Sequence, residues 1–269
     1  MQTPLKIGGV PEHFNFPFHL ARREALAAFE WVDFPGGTGA LCLALHKREI
    51  DVAIMLTEGL LANQSKGVGF ESTLLSFYVQ TPLVWGIHTA KANKYTSLQE
   101  LQGKPIAISR PGSGSHLMSY VLAQREGWPI ESLSFVEVGS LHGGRNALLA
   151  KEAKTFLWEK AMTQPLVDAG EFIRLGELPT PWPAFVVVAK PDTYAERKEE
   201  IDHTMRTVLE RAHGFKMELD APKQIAQEYK LPLAQCEEWL VNTLWADYEL
   251  PDPAQLIYVR KVVQKIALQ

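Results

Sequence analysis

The chain has 269 residues, of which 46% are hydrophobic and 22% charged, and its 27 basic and 31 acidic side chains give a net charge of −4. This composition excludes a disordered or fibrous protein, and the length is sufficient for two lobes of ordinary size. The chain has no basic stretch, which argues against nucleic acid as a partner, because nucleic-acid binding needs clustered Lys and Arg.

Strand-like and helix-like segments alternate along the first quarter of the chain. The predicted order is β-α-β-α-β-α, with the segments LKIGGV, FPFHLARREALAAF, EWVDFP, TGALCLALHKREI, DVAIML and TEGLLANQSKG. Thr38 is predicted to cap the second helix and Gly67 to end the third. Because the links between these segments are short, the strands are expected to be parallel with right-handed crossovers.

A long extended run, STLLSFYVQTPLVWGIHTA, leads into a second α/β series. The series consists of SLQELQG as a short helix, KPIAIS as a strand, a loop and helix ending near Gly127, SFVEVG as a strand, HGGRNALLAKEA as a helix and KTFLWEK as a strand. A second extended run, PTPWPAFVVVAKP, returns the chain. Four helical patterns follow: TYAERKEEIDHTMRTVLERAHGF, APKQIAQEYKL, PLAQCEEWLVNTLW and DPAQLIYVRKVVQKIAL.

These patterns predict a two-lobed α/β fold in which each lobe is a sheet flanked by helices. Lobe 1 is discontinuous and contains residues 1–87 and 188–269, whereas lobe 2 contains residues 88–187. The two extended runs would form a two-strand hinge. The expected ligand site is a cleft between the lobes, because loops at the carboxyl ends of parallel strands commonly form such sites.

Four segments carry a resemblance to a known family: LKIGG, REIDVAIML, SLQELQGKPIAIS with its Gly/Ser loop, and LAKEAKTFLWEK. In layout the chain resembles the type II periplasmic binding proteins, and within them the branch of sulfonate-, nitrate- and thiamine-precursor-binding proteins. The resemblance implies a small-molecule ligand, closure of the cleft on that ligand, and delivery of it to an ABC-transporter permease. It also implies that Trp158 and Glu159 lie beside the cleft.

The segment ISRPGSGSHLMSYVL, residues 108–122, combines a strand end, a flexible turn and a helix start. It lacks the Gly-Lys-Ser/Thr of a phosphate loop, the third glycine of a dinucleotide fingerprint and the spacing of a nucleophile elbow. A helix N-terminus of this kind receives anions, and Arg110 would offer paired donors to a carboxylate or sulfonate. Capping of the helix alone is the alternative. The candidate ligand residues here are Arg110, Gly112, Ser113, Gly114, Ser115 and His116.

Equivalent loops elsewhere supply further candidate ligand residues, each with a purely structural alternative as a cap, staple or packing residue. In lobe 1 they are Gly9, Glu12, His13, Phe14, Asn15, Gly36, Gly37, Thr38, Thr57 and Glu58. In lobe 2 and the return crossing they are Gly139, Ser140, Trp158, Glu159 and Trp182. The spacing of the two cysteines and eight histidines matches no metal motif, so neither a metal nor a cofactor is predicted.

The leading functional hypothesis is a non-enzymatic protein that binds an anionic or heteroaromatic small molecule. The alternative is a cytosolic enzyme on the same scaffold, resembling the lyases or dehydratases of thiamine-pyrimidine or menaquinone biosynthesis, although the cysteine-rich motif of the former is missing. No signal peptide or membrane-spanning stretch is visible, which predicts a cytoplasmic chain without membrane insertion. A periplasmic protein trimmed to its mature form would have the same sequence features. The sequence allows either a monomer or a dimer.

Overall fold

The computed structural model describes residues 3–65, 71–249, 257, 260 and 261. The strands β1 to β8 are Leu5–Gly9, Phe29–Asp33, Val52–Leu56, Thr73–Ala90, Ile106–Ile108, Phe135–Glu137, Thr155–Glu159 and Phe172–Ala189. The helices α1 to α9 are Phe16–Arg23, Gly37–His46, Thr57–Ser65, Gly114–Glu126, Leu141–Leu149, Lys160–Asp168, Pro191–Lys216, Ala221–Tyr229 and Leu233–Asn242.

The chain divides into two compact units. Unit 1 consists of Met1–Pro82 with Trp182–Val259, and unit 2 consists of Leu83–Pro181 with Arg260–Gln269. The chain passes from unit 1 to unit 2 within β4 and returns to unit 1 within β8, so these two changeovers lie inside long strands. The lobe bounds expected from the sequence, 1–87 with 188–269 and 88–187, stay a prediction.

Unit 1 is built on four strands in the order β2-β1-β3-β8. Strand β1 is parallel to β2 and β3, whereas β8 is antiparallel to β3 with Leu56 opposite Phe185. The sequence VAIML of β3 is apolar throughout, as expected for a strand covered on both faces. One part of the hydrophobic core of unit 1 is formed by Leu41, Cys42, Ala44, Leu45, Ile50, Ala53, Met55, Leu60, Phe77, Val186, Val188 and Ala246.

Unit 2 repeats this plan with the strand order β4-β7-β5-β6. Strand β5 is parallel to β6 and β7, and β4 is antiparallel to β7. A core cluster of Ala90, Ala107, Ala147, Leu148, Ala153, Phe156 and Phe172 fixes α5 against the sheet. The parallel strands therefore end at one edge, and a helix starts after each of them.

The structure corrects several predictions of local structure. Thr38 does not cap α2, because the helix begins one residue earlier and its N-cap is Gly36. Helix α6 was not predicted, since Pro165 inside it removes a helical hydrogen bond and breaks the pattern. The predicted short helix SLQELQG is a single 3-10 turn. Gly67 and nearly all of the predicted C-terminal helix, residues 252–268, lie outside the described residues.

Candidate functional site

The loop between β5 and α4 is held together by two serine hydroxyls. Ser113 is the N-cap of α4, and its hydroxyl accepts the backbone N–H of His116. The hydroxyl of Ser115 accepts the backbone N–H of Ser109 at 2.9 Å and lies 3.1 Å from the hydroxyl of Ser113. Gly112, whose φ is +73°, donates its N–H to the His116 ring at 2.9 Å. These contacts fix the loop and the start of the helix.

The guanidinium of Arg110 and the first backbone amides of α4 take no part in these contacts. The side chain of Arg110 is half-buried and has neither an ion pair nor a hydrogen bond to any residue in the described part of the chain. The backbone of Arg110 is hydrogen-bonded to the capping residue Ser113, which places Arg110 at the helix start. The N–H groups at a helix start have no intrahelical acceptors and carry the positive end of the helix dipole.

Helix α5 begins beside α4. The N–H of Gly139, a residue with φ of +74°, donates to the carbonyl of Ser109 at 2.9 Å and joins the two loops. Ser140 caps α5 by accepting the N–H of Gly143 at 3.2 Å. Two positive helix ends therefore meet at the carboxyl edge of β5 and β6, which is a favourable environment for an anion.

The start of α6, the third such helix in unit 2, is capped by an acidic side chain. Glu159 ends β7 and caps α6 by accepting the N–H of Met162 at 2.6 Å. Burial raises the pKa of Glu159 to about 7, against the opposing effects of the Ala161 and Met162 amides and the charges of Arg174 and Lys160. Its neighbour Trp158 is half-buried and packs on the ring of Phe156 at 5.1 Å.

In unit 1, the first turn of α2 contacts the end of β3 through Thr38. The Thr38 hydroxyl accepts the N–H of Leu56 at 3.3 Å. A Cβ on Gly59 would lie 2.7 Å from the Thr38 methyl group, so this position requires a glycine. Gly36 precedes the helix and Gly37 begins it, and Gly37 has a φ of +68°, a conformation that favours glycine.

Glu58, in the first turn of α3, is completely buried. The indole N–H of the buried Trp182 donates to its Oε2 at 2.8 Å, while Oε1 has no hydrogen-bond partner among the described residues. Burial raises the pKa of Glu58 to about 7, more than its hydrogen bonds lower it. The adjacent Thr57 is fixed by donating its hydroxyl to the carbonyl of Pro183 at 2.6 Å.

The segment after β1 leads to a buried turn within unit 1. Gly9 is forced by packing, because a Cβ there would lie 2.4 Å from the Trp31 ring. Glu12 precedes a 3-10 turn in which His13, Phe14 and Asn15 are all buried. The side-chain amide of Asn15 donates to the carbonyl of Val10 at 2.8 Å. Burial lowers the pKa of His13 to about 3, so its ring is neutral at physiological pH.

The structure thus brings together Arg110, Ser113, Ser115, Gly139 and Ser140 in unit 2, and Thr38, Thr57, Glu58 and Trp182 in unit 1. Their ligand-binding roles stay predictions. The sequence interpretation missed Ser109, whose backbone links both loops, and Arg174, which donates to the Lys160 carbonyl next to Glu159. Neither residue belongs to a motif, since both depend on pairing between distant segments.

Comparisons with known proteins agree with this architecture. A family model described as Ca3427-like PBP matches residues 85–178. The chain has the type II periplasmic-binding-protein fold. Among solved structures, it is similar to the CA3427 gene product of Candida albicans, with 26% identity, a TM-score of 0.90, and coverage of 100% of this chain and 91% of that one. That protein is described as defining a family with the generic periplasmic binding protein fold.

Two further similar structures contain bound ligands. The alkanesulfonate-binding protein SsuA of Xanthomonas axonopodis pv. citri, bound to MOPS, is 21% identical with a TM-score of 0.80, over 98% of this chain and 92% of that one. PhnD1 of Prochlorococcus marinus, in complex with methylphosphonate, is 13% identical with a TM-score of 0.65, over 97% of both chains. No curated protein matches the chain significantly.

Among the described residues, none of the helices combines the length and apolar character needed to cross a membrane. The same residues contain no group of three or more His, Cys, Asp or Glu side chains arranged to hold a metal ion.

Proposed function

We propose that this protein binds a small molecule through a tetrahedral anionic group, a sulfonate or a phosphonate, held at the adjoining starts of α4 and α5. The observation that carries the proposal is the half-buried guanidinium of Arg110, which has no partner in the described chain and stands at the start of α4. A guanidinium and open helix amides together offer the several fixed donors that a tetrahedral anion accepts.

Two similar structures hold anions of this kind, MOPS in one and methylphosphonate in the other. We extend this chemistry to the present chain, together with membership of the Ca3427-like family. The same proposal includes closure of one lobe on the other around the ligand, delivery of the ligand to an ABC-transporter permease, and the compartment in which this happens. The helix starts and Arg110 support the anion part of it.

The direct test is calorimetry with methanesulfonate and methylphosphonate, using dimethyl sulfone as an uncharged analogue. The wild-type protein should bind the anions and not the sulfone. Arg110→Ala should weaken anion binding by about 10- to 100-fold, because hydrogen bonds to charged groups contribute about 1.5–3 kcal/mol. Arg125→Ala is the matched control, since Arg125 lies at the opposite end of α4 and pairs with Glu126. Equal affinities of the Arg110→Ala variant and the wild type would refute the anion site.

A second candidate function is an enzyme on the same scaffold. It is favoured by the two buried carboxyl groups, Glu58 and Glu159, whose pKa values of about 7 suit general acid or base catalysis. Native mass spectrometry of freshly purified protein would reveal a co-purified small molecule, and incubation with that compound would reveal turnover. Glu58→Gln or Glu159→Gln should then abolish turnover while binding is kept. A compound that is bound and returned unchanged would exclude this candidate.

A further inference from the structure

A second group of polar side chains in unit 1 lies buried without hydrogen-bond partners. It consists of His13 in the 3-10 turn after β1, Tyr229 at the end of α8, and Gln235 and Trp239 in α9. Six of the ten buried polar atoms without a partner among the described residues belong to these four side chains. We call them the His13 cluster.

Ring contacts show that the cluster is contiguous. The imidazole of His13 lies 4.3 Å from the Trp239 ring and 6.0 Å from the Tyr229 ring, measured between centroids. Gln235 precedes Trp239 by four residues, which places both on one face of α9. Phe14 packs against Trp239 at 5.1 Å and Phe16 against Tyr229 at 6.0 Å, so aromatic rings surround the polar atoms.

Leaving so many polar atoms unpaired is costly, since a buried unpaired donor or acceptor costs about 1–3 kcal/mol. Ordinary packing would avoid this cost with apolar side chains of similar shape. Tyr229, Gln235 and Trp239 are each partly exposed although their polar side-chain atoms are buried, so the cluster lies directly beneath the surface of unit 1. A molecule from solution would reach it by displacing side chains of α8 and α9.

The charges in and around the cluster select an uncharged ligand. Burial lowers the pKa of His13 to about 3, which leaves a neutral ring with one donor and one acceptor. The pKa of Tyr229 is raised by burial and by the negative charges of Glu228, Asp33 and Glu12, and lowered by Arg23, which pairs with Glu228. Three acidic groups against one basic group leave a net negative charge around Tyr229, which disfavours an anion. The indole of Trp239 donates, and the amide of Gln235 both donates and accepts.

We propose that the His13 cluster is a binding site for a small, planar, uncharged heterocycle that carries both hydrogen-bond donors and acceptors. The aromatic rings would cover its faces, and the phenol, indole, amide and imidazole would bond its edges. This site lies wholly in unit 1 and uses none of the residues proposed to hold an anion in unit 2. Either proposal can therefore fail without the other.

The test uses the full chain with nicotinamide and uracil as probes, and nicotinate as the charged counterpart of nicotinamide. Calorimetry, together with Trp fluorescence in wild type and Trp239→Phe, should show binding of both neutral probes and at least about tenfold weaker binding of nicotinate. Tyr229→Phe, which keeps the ring, should weaken binding of the neutral probes by about tenfold. The same variant should leave the Tm of the ligand-free protein unchanged or higher, because it removes a buried hydroxyl without a partner.

Tyr78→Phe is the matched control for stability, since the buried Tyr78 hydroxyl donates to the Phe14 carbonyl at 2.9 Å. It should lower the Tm of the ligand-free protein. If Tyr229→Phe lowered the Tm as Tyr78→Phe does, ordered water would satisfy the cluster and the proposal would fail. It would fail equally if neither neutral probe bound, or if they bound Tyr229→Phe and wild type with equal affinity.

Discussion

At the scale of the single residue, the environment of Glu58 determines its protonation. The side chain is completely buried, and the indole of Trp182 bonds only one of its two carboxyl oxygens. A carboxylate buried in this way is poorly solvated, so the protonated form is favoured and the pKa rises from 4.5 to about 7. The folded protein therefore keeps a proton on Glu58 at pH values where the unfolded chain releases it.

This linkage predicts a loss of stability as pH rises. Below pH 4.5 both states are protonated, and between pH 4.5 and about 7 only the folded state holds the proton, so the free energy of unfolding falls by about 3 kcal/mol across that range. Glu159 adds a loss in the same window, because burial also raises its pKa to about 7. Glu58→Gln should reduce the fall in denaturant-measured stability between pH 5 and 8.

Glu100→Gln is the control for this prediction. Glu100 is exposed and its pKa is lowered by the Thr96 and Ser97 amides, so it is ionised in both states above pH 5. Its replacement should leave the change in stability between pH 5 and 8 as in the wild type. An unchanged slope in Glu58→Gln would show that Glu58 is ionised in the folded protein throughout this range.

At the scale of the element, the starts of α4, α5 and α6 share one design. Each helix follows a parallel strand of unit 2 and has a side-chain cap, from Ser113, Ser140 and Glu159 respectively. The caps satisfy the third amide of each helix and so fix where the helix begins. Those of α4 and α5 leave the first amides open, whereas Glu159 also bonds the Ala161 amide of α6. The close packing of α5 against β7 holds this arrangement in place.

That packing predicts opposite effects of the same substitution in two helices. Alanine ordinarily stabilises a helix by about 0.5–1 kcal/mol relative to glycine. In α5, however, a Cβ on Gly144 would lie 2.4 Å from the ring of the buried Phe156, so Gly144→Ala should lower stability by about 1–3 kcal/mol. Gly214 in α7 has no such neighbour, since the nearest atom lies 4.0 Å away on Arg211.

Gly214→Ala is therefore expected to raise the Tm, and Gly144→Ala to lower it, in the same calorimetric experiment. A stabilised Gly144→Ala variant would mean that α5 can shift away from β7 at little cost. Such a result would also weaken the view that the adjoining helix starts are held rigidly.

At the scale of the whole molecule, two compact units share a chain that passes from one to the other within β4 and returns within β8. Two strands of this kind form a hinge in the closure hypothesis that the sequence suggested. The net charge of −4 is modest, so the proposed anion site depends on local donors and not on the overall field of the protein.

Closure predicts that saturating methanesulfonate or methylphosphonate reduces the radius of gyration measured by small-angle X-ray scattering. The physical reason is that a ligand bonded by both lobes makes more contacts in the closed form than in the open form, and so it stabilises the closed form. The Arg110→Ala variant under the same conditions should keep the larger value. A radius that stays constant while calorimetry reports saturation would exclude closure, although binding itself would stand.

Much of the fold was determined by the sequence alone. The alternation of apolar strands with helical patterns predicted the α/β class, and Gly127 ends α4 with a φ of +69°, as its position suggested. These features are local: periodicity, a capping hydroxyl and a glycine act over a few residues, so they can be recognised without a structure. Helix α6 was missed because Pro165 disrupts that local signal.

Only the tertiary structure decided which side chains meet. Trp182 bonds Glu58 across 124 positions of the chain, and His13 meets Trp239 only because α9 packs on the 3-10 turn after β1. Burial at these contacts shifts the pKa of Glu58 and of His13. The tertiary structure also shows that the capping serines are already hydrogen-bonded, whereas the side chain of Arg110 has no partner among the described residues. No sequence pattern contains this information, because desolvation and hydrogen-bond satisfaction depend on neighbours that are distant along the chain.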